Sequence, residues 1–238
     1  MVWYNQNTSK LVMNEGDEAL TSRNMVRFFF ATLGVGGLST GILGFMIRWQ
    51  EMAPYFIHVD IQSIFGAFLW FTGMGFIFSL VSQVGYFAYL FVHQLGLDIF
   101  RSRTVWGAIQ FVAACYILFD FVYFRAEAFS VHFNQSLLLA GIILLAALVV
   151  AFAKVKQTKT GSTFIPAVFF MVAATILEWV PALRVNKEVW LYLMVFPLIL
   201  CNAFQLLVLP YFLKRSQKER EEKAAVRKMA ARGQKTGN

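Results

Sequence analysis

The chain has 238 residues, of which 58% are hydrophobic and only 14% are charged. Soluble domains carry about 25% charged residues, so this composition excludes an ordinary water-soluble domain. The net charge of +8 would suit a nucleic-acid-binding protein, but the basic residues lie between and after apolar runs, which is typical of membrane topology. We therefore expect no nucleic-acid partner and predict an all-α, polytopic membrane helix bundle.

About 20 apolar residues suffice to cross a bilayer, and the chain contains about six runs of that kind. The predicted spans are residues 28–48, 61–92, 104–124, 135–153, 164–183 and 189–213. The sequence thus divides into a polar N-terminal segment (1–24), a six-helix domain (25–213) and a basic tail (214–238). Residues 1–19 are further interpreted as a translated leader with the natural start at Leu20, because Glu15-Gly16-Asp17 can be encoded by a purine-rich ribosome-binding sequence.

The first span is rich in glycine. Its residues form the patterns Gly37-xxx-Gly41 and Gly36-xxx-Thr40-xxx-Gly44. Small residues at this spacing let a neighbouring helix approach closely. We predict that this face packs against another helix.

The second span follows a predicted loop at 49–60 and is unusually long. An uncharged run of this length makes a helix of about 48 Å, against a hydrocarbon core of about 30 Å. We expect the helix to tilt, to break near Gly85, or to project into the cytoplasm. The last span contains Pro197, which is expected to kink it.

Polar side chains follow one face of the second span at spacings of 7, 4, 3 and 7 residues: Thr72, Ser79, Gln83, Tyr86 and His93. Hydrogen-bonding groups at membrane depth need partners in the protein. The candidate partners are Gln110 on the third span and Asn202 and Gln205 on the sixth. The stripe is consistent with interhelical hydrogen bonds or with the lining of a ligand cavity.

Two carboxylates lie inside apolar runs, Asp120 in the third span and Glu178 in the fifth. Three arginines, Arg48, Arg125 and Arg184, end spans at a similar level on the predicted outer side. Burying an unpaired carboxylate is costly. We predict that these five residues form an outer-rim charge cluster, either a structural ion-pair group or a functional site.

The composition offers little for catalysis. The three histidines, His58, His93 and His132, lie in loops or at span ends, which disfavours haem, intramembrane serine protease and metalloprotease sites. The cysteines, Cys115 and Cys201, lie within apolar runs and are interpreted as buried thiols rather than as a disulfide or metal site. We predict neither enzyme activity nor a cofactor, and a lipid-modifying enzyme is the remaining catalytic alternative.

Orientation follows from the basic residues. The N-terminal segment, the second and fourth loops and the tail hold 17 Lys and Arg residues, and the other face holds 4. Excess positive charge stays in the cytoplasm, so both termini are predicted there. The tail is expected to continue the last helix and to contact anionic lipid headgroups.

Four stretches of the chain resemble the KinB-signalling pathway activation proteins, the KbaA family of spore-forming bacteria. They are SRNMVRFFF (Ser22–Phe30), FSLVSQVGYFAYL (Phe78–Leu90), VHQLGLDIFRS (Val92–Ser102) and LFDFVYFR (Leu118–Arg125). The resemblance spans residues 22–128, and beyond it rests on the number and order of spans. The chain differs from the family pattern in a longer N-terminal segment and in its tail.

The resemblance implies a multi-pass protein of the cytoplasmic membrane that assists a membrane-bound sensor histidine kinase feeding the sporulation phosphorelay. It implies no catalytic residues. The alternative from the residues themselves is a receptor or carrier for a small ligand or lipid, which would use the polar stripe inside the bundle.

Overall fold

The computed structural model describes residues 20–129, 133–185 and 188–235, and within these ranges the regular elements are helices. The helices are α1 (Ser22–Ile47), α2 (Trp49–Ile57), α3 (Ile61–Phe100), α4 (Arg103–Phe129), α5 (Phe133–Thr158), a short 3₁₀ turn (Gly161–Thr163), α6 (Phe164–Val185) and α7 (Glu188–Lys235). All but α2 and the 3₁₀ turn are long and apolar enough to cross a membrane, which makes six candidate spans. The prediction of an all-α protein with six such helices is therefore confirmed, and the proposed leader at 1–19 lies outside the described residues.

The candidate spans expose large apolar side chains on their outer faces. Leu69 is 53% exposed, Trp70 63% and Phe111 58%. Soluble proteins rarely expose contiguous apolar patches of this kind, whereas lipid accommodates them without cost. The exposed surface thus agrees with helices that face hydrocarbon.

Helix α3 is continuous over 40 residues and does not break near Gly85. At 1.5 Å per residue it is about 60 Å long, twice the thickness of the hydrocarbon core. It begins at Asp60, whose carboxylate accepts hydrogen bonds from the backbone N–H of Ser63 (3.1 Å) and from its hydroxyl (2.6 Å). It ends at Arg101, which adopts the left-handed backbone conformation and donates its backbone N–H to the carbonyl of Leu97. The two hydrogen bonds from Ser63 lower the pKa of the exposed Asp60 carboxyl.

The segment between α1 and α3 is not simply a loop, because α2 occupies most of it. Phe56 of α2 makes edge contacts with Phe45 and a tilted contact with Trp49, both at 5.5 Å between ring centroids. None of the α2 residues is buried. A short helix with aromatic side chains and an exposed polar face suits the membrane interface, a possibility that the polar residues and Pro54 concealed in the sequence.

Helix α6 lies at the centre of the fold and packs against α3, α4 and α5. Seven consecutive residues, Phe170–Ile176, are buried, so the middle of this helix is enclosed on every side. A helix that is apolar on every side is typical of such a central position. Trp179 fixes its C-terminal half by stacking on Phe121 (5.6 Å) and by donating its indole N–H to the carbonyl of Leu191 (3.0 Å).

Helix α7 continues through Pro197 and through the tail to Lys235, as predicted for the tail. It also contains Pro210, which has no N–H to give to the carbonyl one turn earlier, that of Leu206. The ammonium of Lys154 on α5 donates to this carbonyl at 2.6 Å. Gln157 donates to the next carbonyl, that of Leu207, at 2.9 Å.

The chain divides into two compact units, residues 31–207 and, among the described termini, residues 20–30 with 208–235. In the second of these units, Asn24 donates to the hydroxyl of Ser216 at 2.9 Å, and both side chains are fully buried. Phe28 packs edge-on against Phe212 at 5.6 Å. These contacts hold the N-terminal end of α1 against α7.

Candidate functional site

A polar network lies between α3, α6 and α7, at the level where Glu178 projects from the central helix. Glu178 is 7% exposed, and its Oε2 accepts a hydrogen bond from the amide of Asn202 at 2.9 Å. The same amide lies 3.3 Å from the hydroxyl of Thr175, one turn earlier on α6. Asn202 itself is fully buried, so the network joins α6 to α7 away from solvent.

Ser82 connects this pair to α3. Its hydroxyl donates to Oδ1 of Asn202 at 2.7 Å and accepts from the amide of Gln205 at 2.6 Å. Gln205 also donates to the backbone carbonyl of Cys201 at 3.2 Å. The predicted partners Asn202 and Gln205 therefore meet α3 through Ser82.

The other members of the predicted stripe lie at varied positions along α3. Ser79 donates to the carbonyl of Thr32 on α1 (2.9 Å) and accepts from Gln83 (3.3 Å). Tyr86 is 1% exposed and packs edge-on against Phe170 at 5.1 Å. The hydroxyl of Thr72 is buried near Gly41 of α1, with no hydrogen-bond partner among the described residues.

Gln110 lies in a separate cluster, one that joins α3 to α4. Its amide is 3.2 Å from Nδ1 of His93, which also accepts the indole N–H of Trp106 at 3.1 Å. Trp106 in turn covers Gly96, where an added Cβ would collide with the indole ring. The predicted pairing of Gln110 with α3 is thus made through His93.

The five residues of the predicted outer-rim cluster have different environments. Asp120 is exposed on α4, whereas Glu178 belongs to the buried network. Arg48 pairs with Glu51, and the guanidinium of Arg125 lies 5.8 Å from the centre of the Trp179 ring.

The described ion pairs join Arg27 to Glu219, Arg48 to Glu51 and Arg215 to Glu219. Among the described residues, Asp120 and Glu178 form no ion pair with Arg48 or Arg125. The buried acid, Glu178, is reached by the amide of Asn202. The side chain of Arg184 lies outside the described part of the chain.

The glycines of α1 lie against α3. A Cβ at Gly36 would be 2.8 Å from the carbonyl oxygen of Gly75, and a Cβ at Gly75 would come still closer to the carbonyl of Gly36. The other predicted glycines of α1 meet side chains of α3, Gly37 at Phe76, Gly41 at Phe68 and Gly44 at Phe71. The two helices approach to backbone contact, and this requires glycine on both.

Three residues of these sites were not identified from the sequence. Ser82 lies three residues after Ser79 and one before Gln83, so helical spacing alone could have added it to the stripe. Gly75 falls four residues before Ser79, on the same face. Thr175 gives no such signal, because a single threonine in an apolar run is common.

The network joins α3, α6 and α7 through side-chain hydrogen bonds. No three His, Cys, Asp or Glu side chains come together as a metal site within residues 20–129, 133–185 and 188–235. Buried hydrogen-bond acceptors do remain: the Oε1 atoms of Gln83, Glu178 and Gln205 have no donor among the described groups.

Fold and site together define a helical bundle with six candidate membrane spans and a polar network at its centre. Residues 36–212 match the family described as KbaA, KinB-signalling pathway activation in sporulation. Over 197 residues the chain is 44% identical to the KinB-signaling pathway activation protein of Bacillus subtilis (strain 168), covering 81% of this chain and 98% of that protein. The chain therefore belongs to the KbaA family.

The predicted resemblance is thus confirmed, and the match continues beyond residue 128 through the first half of α7. No solved structure matches the chain significantly.

Proposed function

We propose that the protein acts in the cytoplasmic membrane as a non-enzymatic accessory that activates the sensor histidine kinase of the KinB pathway. The observation that carries this proposal is family membership over residues 36–212 together with the similarity to a named pathway activation protein. Six apolar helices with exposed outer faces provide the means to meet a membrane-bound partner. A helical interface between the two proteins would place the contact in the bilayer, where packing and interhelical hydrogen bonds drive association.

The test is reconstitution of the full-length protein with the kinase in the same proteoliposomes. Kinase autophosphorylation is expected to rise several-fold over kinase alone, and the two proteins are expected to co-purify in mild detergent. A matched control contains an unrelated six-span protein at the same density. Unchanged autophosphorylation with no co-purification would refute the role beside the kinase.

The proposal includes an orientation with both termini in the cytoplasm, supported by the 17 basic residues on that face. It is tested in a variant whose Cys115 and Cys201 are replaced by alanine, with one new cysteine at a time. A membrane-impermeant maleimide added to intact cells should label His58→Cys, between α2 and α3. It should leave Thr160→Cys, between α5 and α6, unlabelled until the cells are opened. The reverse pattern would invert the orientation.

A further inference from the structure

Helix α2 is amphipathic, and the protein leaves its apolar face uncovered. The residues that share this face, at the spacing i, i+3, i+4, i+7 and i+8, are Trp49, Met52, Ala53, Phe56 and Ile57. The opposite side carries Glu51 and Pro54, followed by His58 at the end of the helix. None of the α2 residues is buried. An apolar face that meets only water is unfavourable, so this helix requires an apolar neighbour other than its own chain.

The turn from α2 into α3 adds exposed branched side chains to this face. Ile57 is 75% exposed, Val59 70% and Ile61 73%. Val59 has a φ of 51°, a left-handed conformation that glycine normally supplies after a helix and that strains a β-branched residue. The turn is closed by two backbone hydrogen bonds, from Val59 to the carbonyl of Phe56 (3.3 Å) and from Asp60 to that of Tyr55 (2.9 Å). An apolar side chain is thus held at the surface at a conformational cost.

The position of α2 in the chain holds this apolar face beside the bilayer. The helix begins two residues after α1 ends, and α3 begins four residues after α2 ends. Because α1 and α3 are both candidate spans, the short connections keep α2 at the membrane surface. Met46 near the end of α1 and Phe65 near the start of α3 are exposed apolar residues as well. The apolar face of α2 therefore continues the surface that the two spans present to lipid.

The charge of α2 indicates which part of a lipid it contacts. Anionic headgroups attract clusters of Lys and Arg, but the sequence of α2 contains neither residue. The arginine just before it, Arg48, pairs with Glu51. Trp and Tyr prefer the boundary between headgroups and acyl chains, and α2 provides Trp49 and Tyr55. These features favour contact with acyl chains over recognition of headgroup charge.

We propose that α2 and the turn after it form a membrane anchor, which lies in the headgroup region with Trp49 and Ile57 directed toward the acyl chains. Val59 inserts beside them, and its contact with acyl chains offsets the cost of its left-handed backbone. The anchor fixes the first turn of α3 at the membrane surface, because Asp60 caps that helix directly after Val59. This inference does not depend on the role beside the kinase or on the orientation of the termini, since it concerns contact between the protein and lipid alone.

The experiment uses the full-length protein, with Cys115 and Cys201 replaced by alanine, in phosphatidylcholine nanodiscs that leave both membrane faces open to water. A nitroxide is attached to one new cysteine at a time, Ile57→Cys, Val59→Cys or the polar-face control His58→Cys. Power saturation of the electron spin resonance then compares collisions with oxygen, which concentrates in lipid, and with a water-soluble nickel chelate. The ratio of oxygen to nickel accessibility should be at least fivefold higher at Ile57 and Val59 than at His58. It should stay the same when phosphatidylglycerol is added.

Two further variants, each with the nitroxide at Val59, test the apolar face itself. Ile57→Glu places a charge on that face and should raise nickel accessibility at least threefold. The matched control His58→Glu places the same charge on the polar face and should leave the accessibility unchanged. Equal effects of the two variants would overturn the proposal, as would nickel accessibility at Ile57 and Val59 as high as at His58. Low accessibility to both reagents would show burial against protein, and a ratio that rises only with phosphatidylglycerol would show recognition of headgroup charge; either result also overturns it.

Discussion

Helix α3 has two kinds of interface with its neighbours. Against α1 it packs glycine on glycine, with Gly75 and Gly36 in backbone contact. Against α6 and α7 it packs through hydrogen bonds, with Ser82 between Asn202 and Gln205. The first interface depends on the absence of side chains, and the second depends on particular polar atoms.

The difference separates a close-packed interface from one that retains hydrogen-bonding groups. Backbone contact between α1 and α3 leaves no space between the two helices at Gly36 and Gly75. The polar interface retains acceptors without donors, including Oε1 of Glu178 and of Gln205. An interface with spare hydrogen-bonding capacity can exchange partners, whereas a close-packed one can only separate.

The largest effect is expected at the glycine interface. Gly75→Leu should lower the free energy of unfolding by about 3 kcal/mol, because the added side chain meets the carbonyl of Gly36 and the side chain of Thr40. The measurement is reversible unfolding in mixed detergent micelles. Gly73→Leu is the control, since the space beside Gly73 is empty, and equal losses in both variants would contradict the packing described for α1 and α3.

At the polar interface, the free energy of unfolding should depend on hydrogen-bond partners and not on space. Asn202→Leu should cost about 2 kcal/mol, because it leaves both Ser82 and Glu178 without their partner in a buried site. Replacing Glu178 by Leu in the same chain should recover part of that loss, since removing both partners is less costly than removing one. Unfolding of the two single variants and the double variant measures the coupling, and additive losses would show that the hydrogen bond does not contribute.

A third test extends the comparison to a backbone acceptor. Lys154→Met should lower the free energy of unfolding by about 1 kcal/mol, because Pro210 leaves the Leu206 carbonyl dependent on the Lys154 ammonium. In a Pro210→Ala background the same substitution should cost less, since the alanine N–H restores the helical bond. A cost that is identical in the two backgrounds would disprove the link between Pro210 and Lys154.

The smallest effect is expected at Tyr89, which joins α3 to α6. The hydroxyl of Tyr89 donates to the carbonyl of Pro166 at 3.1 Å, and Tyr89→Phe removes only this bond. Interhelical hydrogen bonds of this kind contribute about 0.6 kcal/mol on average. The melting temperature in detergent should fall slightly, with the aromatic contact to Phe170 preserved. A loss as large as that of Asn202→Leu would show that Tyr89 belongs to the polar interface.

Sequence patterns predicted the number of long helices and the glycine face of α1, because span length and small-residue spacing are local properties. They also placed Ser79 and Gln83 on one face of α3. They did not predict α2, since a polar segment with a proline is typical of a loop. They left open whether α3 continues through Gly85, because the residue that packs on this glycine, Glu178, lies 93 residues away in the chain.

The environments of Asp120 and Glu178 could not be predicted from the sequence either. Depth along a helix is readable from the sequence, and it placed Asp120 and Glu178 at similar levels. The direction in which each side chain points depends on the rotation of its helix, which neighbouring helices determine. Asp120 lies on an exposed face and Glu178 on a buried one, a difference that hydrophobic runs on both helices do not encode.

The length of α3 has a mechanical consequence. A helix of about 60 Å without a break behaves as a rigid rod, so a tilt of about 5° around one end displaces the other by about 5 Å. Its middle bears Ser82, which bonds to Asn202 and Gln205 of α7, so any change in packing there acts on the rod between its two ends. A small rotation inside the bilayer would thereby become a sideways movement, at the end of the rod, large enough to change which surface a neighbouring protein meets.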